Sequence, residues 1–211
     1  MGCGSAWVAS VAPVTPSPEI RPADPADADA VLHVIREAFG AGAPEDGDEV
    51  AALWADVRAG DHLLAELVAV VEGEVVGHVG ISHCWVDARR ELAAACMLSP
   101  LSTLPARQGS GIGTALVAAA IEAAHDLGRP ALFLEGSPVF YSQRGFERAS
   151  THGFEPPTRR VPDPAFQVVL LGEQPDWLTG RVIYPEVWWR HDSTGLRDPD
   201  PAAIEARFAA P

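Results

Sequence analysis

Hydrophobic and polar positions follow two different periods along the chain, and the change of period marks the predicted elements. After a short strand at residues 19–22, apolar residues recur at helical spacing to residue 39 and, more weakly, over residues 48–58. From residue 63 the pattern becomes that of strands. The Glu72-Gly73 turn between two such runs predicts a hairpin. The three predicted strands cover residues 63–71, 75–86 and 92–104.

The second half of the chain contains the most regular helical pattern. Residues 111–127 carry an apolar stripe, and Gly128 and Pro130 are typical of a helix end. The elements predicted after it are a strand at 131–134, a short helix or turn at 138–144, a strand at 166–171, an aromatic segment at 177–189 that packs across the sheet, and weak helical character at 202–209. The strand–helix–strand unit implies a parallel pair with a right-handed crossover, whereas the hairpin implies antiparallel pairing. The expected fold class is therefore α/β (α+β mixed), a central mixed β-sheet with helices on both faces.

Length and composition favour one domain. The chain has 211 residues, of which 47% are hydrophobic, and this suits a single core. We expect residues 1–18 to be a disordered leader, residues 19–190 to form the domain and residues 191–211 to form a C-terminal tail.

The formal net charge of −14 excludes some partners. An acidic surface repels phosphate backbones, so we expect no nucleic-acid partner. No apolar run reaches the length of a membrane span, so we expect no membrane partner. Cys3, Cys84 and Cys96 are scattered and lack zinc-site or disulfide-framework spacing, so we expect no metal and a cytoplasmic location.

One glycine-rich run lies between a buried strand and the regular helix. It reads Leu104-Pro105-Ala106-Arg107-Gln108-Gly109-Ser110-Gly111-Ile112-Gly113-Thr114. Glycines allow sharp turns and close approach of a ligand, and a helix N-terminus offers unpaired N–H groups with partial positive charge. Together these features predict a pyrophosphate cradle, to which Arg107 adds a positive charge.

Several interpretations of this run can be compared. A dinucleotide fingerprint fails because its third glycine would fall on Thr114 or Leu116, and a P-loop fails because no lysine is present. The alternative without a binding role is a strand–helix connector that is glycine-rich by chance. The pattern Gln/Arg-x-x-Gly-x-Gly/Ala is met in full by residues 108–113. In this respect the chain resembles the GNAT N-acetyltransferase superfamily, whose acyl-CoA pyrophosphate loop has that form.

Two further segments resemble the same superfamily. Residues 98–105 precede the loop, where the family has a splayed strand that pairs with the pantetheine arm of the cofactor. Residues 140–146 match the segment Phe-Tyr-x-x-x-Gly-Phe, whose tyrosine corresponds to Tyr141. The likeness covers residues 19–171, and residues 135–141 and 182–185 resemble the bacterial YhbS-like subgroup. The residues that the resemblance assigns to the cofactor are Leu101, Ser102, Thr103, Arg107, Gln108, Gly109, Ser110, Gly111, Ile112, Gly113 and Thr114.

The resemblance implies transfer of an acetyl (acyl) group from acetyl-CoA to a primary amine by direct attack. Tyr141 would act as the general acid toward the departing sulfur. The acceptor would be an amine-bearing small molecule or a protein or peptide, and a homodimer is a common state in this family. A catalytically silent acyl-CoA-binding or regulatory module on the same fold is the alternative, and a nucleotide-binding protein of another fold is a third hypothesis.

The general base is the weakest point of the resemblance. Many family members use a glutamate on the central strands, but residues 92–104 contain no acidic residue. His83 is our candidate base because histidine titrates near neutrality, and Glu135 is a second candidate. Cys84 and Cys96 have no base at a recognisable spacing, so we do not expect either to be a nucleophile.

Overall fold

A computed structural model describes residues 17–197. Within this range the helices are α1 (Ala28–Phe39), α2 (Pro44–Ala59), α3 (Ile112–Asp126), α4 (Pro138–Tyr141) and α5 (Glu186–Arg190). The strands are β1 (Glu19–Pro22), β2 (Leu63–Val71), β3 (Glu74–Ala88), β4 (Leu92–Thr103), β5 (Ala131–Glu135), β6 (Glu147–Arg148), β7 (Phe154–Glu155), β8 (Phe166–Leu170) and β9 (Gly180–Ile183).

The strands form one mixed sheet in the order β1-β2-β3-β4-β5-β8-β6. β4 and β5 are parallel and are joined through α3, whereas the other neighbours along this path are antiparallel. β9 pairs with the end of β3, beyond the stretch that β2 covers, and with β7. The predicted mixed sheet, hairpin and parallel crossover are confirmed.

The two faces of the sheet carry separate hydrophobic clusters. On one face α1 and α2 pack against the sheet around the fully buried Trp54. On the other face α3 packs against it through residues such as Leu116. Glycines in β3 allow both approaches, because a Cβ at Gly80 would lie 2.1 Å from Trp54 Cη2 and a Cβ at Gly77 would lie 2.8 Å from Ile112 Cγ2. The prediction of helices on both faces is confirmed.

A polar network links α2 to the sheet on the Trp54 face. One Glu66 carboxylate oxygen, Oε1, accepts a hydrogen bond from Trp54 Nε1 at 2.7 Å and lies 3.1 Å from His78 Nε2. Arg58 Nε lies 3.2 Å from the other oxygen, Oε2. Burial favours the protonated form of Glu66, but the hydrogen bonds from His78 and Trp54 keep its pKa below the ordinary value. This buried carboxylate is therefore paired, as a stable fold requires.

The structure departs from the predicted boundaries in a few places. α2 begins at Pro44 rather than at residue 48, because proline and two acidic residues suit a first helical turn. The two-residue strands β6 and β7 are too short to show an alternating pattern. The aromatic segment 177–189, predicted to pack across the sheet, instead joins it, since residues 180–183 form β9, which pairs with β3, and α5 follows. Most of the expected leader and the weak helix at 202–209 lie outside the described residues.

Candidate active site

The site begins where the parallel strands β4 and β5 part. Their ladder consists of two register pairs, Cys96 with Leu132 and Met97 with Phe133. β4 then continues to Thr103, while β5 stays paired with β8 as far as Glu135. An irregularity in β4 at residues 99–100 accompanies the separation, since the register with β3 shifts there. Past Met97, the edge of β4 that faces β5 has no strand partner among residues 17–197.

The glycine-rich loop follows directly at the end of this free edge. Gly109 and Gly111 have φ angles of 75° and 89°, in the left-handed region that glycine adopts without strain. Gly111 is the N-cap of α3, so the loop turns straight into the helix. Ser110 folds back, and its hydroxyl donates to the Arg107 carbonyl at 2.5 Å. The loop is therefore held in one shape by its own contacts.

The backbone N–H groups of the loop divide into two sets. Those of Arg107 and Gln108 donate to the carbonyls of Leu104 and Pro105 at 2.8 and 3.3 Å. The first helical bond of α3 comes from Ala115 to Gly111 at 3.0 Å. Between these, the N–H groups of residues 109–114 have no acceptor within the described part of the chain. Unpaired donors at a helix N-terminus form an anion-binding site.

A groove of about 440 Å³ lies between the free edge of β4, the loop and α4. Its lining consists of Leu101, Ser102, Thr103, Arg107, Gln108, Gly109, Gly111, Ile112, Gly113, Thr114, Phe140 and Arg144. All of the residues that the sequence assigns to the cofactor are brought together here except Ser110, whose side chain is turned back into the loop. That they bind a cofactor remains a prediction.

Phe140 and Arg144 are the lining residues that the sequence analysis missed. The Arg144 guanidinium lies 3.6 Å from the centroid of the Phe140 ring and donates to the Phe140 carbonyl. Its Nη2 also donates to the Thr114 hydroxyl at 2.6 Å, which links α3 to the turn after α4. The four-residue spacing of Phe140 and Arg144 places both on one side of a helical turn, and this was the available signal. Arg107 and Arg144 are the charged residues of the lining.

Tyr141 lies at the far side of the split, on the α3 face. Its ring covers Gly136, where a Cβ would lie 2.4 Å from Tyr141 Cε2, so only glycine admits this packing. It makes edge contacts with Phe140 and Phe146, at centroid distances of 4.9 and 5.6 Å. Burial raises the pKa of Tyr141 to about 12, although Arg144 opposes the shift. The phenol is thus protonated at neutral pH and has a proton to donate.

The other candidate residues lie elsewhere. His83 is opposite Cys96, its ring packs on Trp85 at a centroid distance of 4.2 Å, and it does not line the groove. Burial lowers the pKa of His83. Cys84 is buried, and burial raises its pKa well above the ordinary value; burial raises that of Cys96 to about 12, so neither thiol is readily ionised. Glu135 is the last residue of β5, at the split itself.

No group of three or more His, Cys, Asp or Glu side chains within residues 17–197 is arranged to hold a metal ion. No helix in the same range combines the length and apolar character needed to cross a membrane.

These features define an acyltransferase fold with a ligand groove at a split sheet, and the comparisons identify the family. The family model described as "Acetyltransferase (GNAT) family" matches residues 28–146. The chain belongs to the GNAT acetyltransferase family. The assignment to the acyltransferase class is thereby confirmed.

Individual relatives support the predicted YhbS-like subgroup. The chain is 29% identical over 162 residues to the uncharacterised N-acetyltransferase YjhQ of Escherichia coli, covering 75% of this chain and 87% of YjhQ. It is similar to the E. coli GNAT family N-acetyltransferase YhbS, solved in complex with CoA, with a TM-score of 0.73, 29% identity and coverage of 86% and 96%. A GNAT family acetyltransferase from Brucella melitensis, solved with acetyl-CoA, aligns with a TM-score of 0.62, 28% identity and coverage of 81% and 97%.

Proposed function

We propose that the groove binds acetyl-CoA and that the protein transfers the acetyl group to a primary amine. The observation that carries this proposal is the row of unpaired N–H groups at residues 109–114, which opens into the groove at the start of α3. A diphosphate is the ligand that such donors suit best. Relatives at 28–29% identity that were solved with CoA and acetyl-CoA support the same choice of ligand.

The rest of the groove suits the remainder of the cofactor. Arg107 and Arg144 supply positive charge beside the loop, which favours phosphate groups on a protein that is otherwise acidic. The free edge of β4 at residues 101–103 offers backbone donors and acceptors to the amide groups of the pantetheine arm, as an additional strand would. The reactive thioester would then lie at the split between β4 and β5.

The reaction is direct attack of the amine on the thioester carbon. Holding both reactants at the split supplies rate through proximity, and a backbone N–H of residues 101–103 would stabilise the developing negative charge on the carbonyl oxygen. Tyr141, protonated and next to the split, would donate a proton or a strong hydrogen bond to the departing sulfur. No described feature favours the alternative of a catalytically silent module.

Two measurements test this function. Isothermal titration with acetyl-CoA and with CoA should give binding at micromolar to low millimolar concentration, and a panel of primary amines should release free thiol from acetyl-CoA.

Tyr141→Phe should lower kcat by roughly 100-fold or more while leaving binding of acetyl-CoA almost unchanged. Absence of binding at millimolar acetyl-CoA would overturn the proposal, and binding without turnover for any amine would favour the silent module.

A further inference from the structure

The side chain of Ser102 belongs to the sheet face away from α3, although the residue borders the groove. Ser102 pairs with His78 of β3 in the sheet register, so the two side chains share one face. On that face the Trp54 ring contacts the His78 ring at a centroid distance of 5.1 Å. Ser102 is 3% exposed and its hydroxyl is buried. The hydroxyl therefore connects the free edge of β4 to the interior behind the sheet.

This register pair contains two buried polar atoms without a hydrogen-bond partner among residues 17–197. They are Ser102 Oγ and His78 Nδ1, and His78 is fully buried. Buried polar groups are nearly always paired. Side chains directly opposite each other in an antiparallel pair have Cβ atoms about 4.5–5.5 Å apart. At that separation a hydroxyl, which turns about one bond, reaches the ring nitrogen directly or through one water molecule.

The other end of the His78 ring determines which atom donates. His78 Nε2 lies 3.1 Å from Glu66 Oε1, and an ionised carboxylate only accepts hydrogen bonds. Burial lowers the pKa of His78, against the raising effect of Glu66, so the ring is neutral and carries one proton. With that proton on Nε2, Nδ1 is an acceptor. The Ser102 hydroxyl is then the donor, and the polarity runs from Ser102 through His78 to Glu66.

The same network supports β4 where the strand leaves β5. Gly80 of β3 lies opposite the irregularity of β4 at residues 99–100. The Trp54 ring covers Gly80, and Trp54 Nε1 donates at 2.7 Å to Glu66 Oε1, the oxygen that His78 Nε2 also approaches. Beyond this point β4 pairs only with β3 among the described strands, and an edge with few partners frays easily. A side-chain hydrogen bond from β4 to this network would hold the free edge in place.

We infer that a hydrogen-bond chain from Glu66 through His78 to Ser102 positions the free edge of β4 for the pantetheine arm of CoA. The inference rests on the proposed function. Glu66 and His78 do not line the groove, so they are positioning residues that act through Ser102. Fixing residues 101–103 before the arm binds lowers the ordering cost of binding. The nucleotide part of CoA, which would meet the glycine-rich loop, gains nothing from this chain.

Nitrogen-15 NMR of the histidine side chains tests the chain of hydrogen bonds itself. The wild type should show a neutral His78 with its proton on Nε2, and the Nδ1 resonance should shift when Ser102→Ala removes the hydroxyl. Ser82→Ala is the matched control, because Ser82 Oγ is also buried and unpaired among residues 17–197 but lies opposite Met97. An Nδ1 resonance that Ser102→Ala leaves unchanged, or a proton on Nδ1, would overturn the inference.

Calorimetry with two ligands tests the positioning role. One ligand is CoA, and the other is adenosine 3′,5′-bisphosphate, which lacks the pantetheine arm. Ser102→Ala should raise the Kd of CoA by about 3- to 10-fold, the effect of one lost hydrogen bond, and leave the Kd of the bisphosphate unchanged. His78→Gln keeps an amide donor for Glu66 but loses the Nδ1 acceptor, so it should have the same selective effect. Ser82→Ala should change neither Kd.

The double variant and the wild type complete the test. Because Ser102 and His78 would act through one contact, Ser102→Ala combined with His78→Gln should weaken CoA binding no more than either replacement alone. Additive effects, an unchanged Kd of CoA in Ser102→Ala, or equal weakening of both ligands would refute the positioning role while the transferase function stands. If the wild-type protein binds no CoA, the proposed function fails and the positioning role fails with it.

Discussion

Arg144 joins two parts of the groove, the Phe140 turn and the start of α3, through one planar group. It stacks on Phe140, donates to the Phe140 carbonyl and donates to Thr114 on the first turn of α3. A guanidinium fixed in this way loses little side-chain entropy when an anion binds, unlike a free surface arginine. Its position at the groove wall therefore predicts a larger contribution to cofactor affinity than its charge alone would give.

Replacing this side chain tests that contribution. Arg144→Ala should raise the Kd for CoA by about 10- to 100-fold, the range expected for losing hydrogen bonds to a charged group. Arg144→Lys should give a Kd between those of the wild type and Arg144→Ala, because lysine keeps the positive charge but lacks the planar set of donors of the guanidinium. Arg148→Ala is the control, since Arg148 pairs with Asp163 at 3.2 Å on the surface and does not line the groove. Titration calorimetry measures all three, and an unchanged Kd for Arg144→Ala would contradict the prediction.

Glu135 also predicts a pH dependence of stability. Its pKa is about 7 in the folded protein against an ordinary value of 4.5, so the folded state binds more protons than the unfolded state between these limits. Stability contributed by the protonated carboxyl group is present below pH 4.5 and is lost as the pH rises through 7. A shift of this size corresponds to roughly 3 kcal/mol.

Glu135→Gln removes this titration because the amide stays neutral at every pH. The free energy of unfolding of Glu135→Gln, relative to that of the wild type, should therefore increase as the pH rises from 4.5 to 8, by up to about 3 kcal/mol. Urea unfolding at several pH values measures the difference. A difference that stays constant over this range, or that shrinks as the pH rises, would show that Glu135 is not destabilised by burial.

At the scale of elements, the start of α3 depends on one backbone conformation. Gly111 has a φ of 89°, and a Cβ there would meet no atom within 4 Å, so the cost of alanine at this position is the backbone strain of a positive φ. That strain destabilises the folded state by about 1–2 kcal/mol. If the chain relaxes to relieve it, the N–H groups of residues 109–114 no longer converge on the groove.

The other end of α3 supplies a matched control for this effect. Gly128 has a φ of 66° and an equally open Cβ position, but it lies far from the groove in sequence and does not line it. Gly111→Ala and Gly128→Ala should both lower stability by about 1–2 kcal/mol. Only Gly111→Ala should weaken CoA binding, by about tenfold or more. Equal CoA affinities in the two variants would show that the loop geometry does not govern binding.

These elements also show what the sequence could predict and what it could not. The loop was predictable because strand, glycines and helix follow one another within a few residues, and their physical roles are local. The contact of Arg144 with Thr114 joins positions 30 residues apart, and the contact of Glu135 with Gly195 joins positions 60 apart. Such contacts depend on how α4, β9 and the final turn pack, which no local pattern encodes. The prediction of His83 as a base, by contrast, rests on residue type alone, and the structure packs its ring against Trp85.

At the scale of the whole molecule, the charge of the protein opposes the charge of its proposed cofactor. The chain has a net charge of −14, and CoA is itself a polyanion. Over long distances the repulsion between them would dominate, whereas at contact the unpaired N–H groups, Arg107 and Arg144 would attract the phosphates. The association rate of CoA is therefore expected to depend on distant charges and its affinity on charges in the groove. Salt screens the distant charges more strongly than those in contact.

This difference predicts an unusual salt dependence. Raising NaCl from 10 to 150 mM shortens the screening length from about 30 to about 8 Å, which weakens the distant repulsion more than the contacts in the groove. The association rate of CoA, measured by stopped-flow fluorescence, should rise by a few-fold over this range. Dephospho-CoA carries less charge, so its association rate should rise less. An association rate that falls with salt would mean that Arg107 and Arg144 already dominate the field at long range, and that the acidic surface is distributed away from the groove.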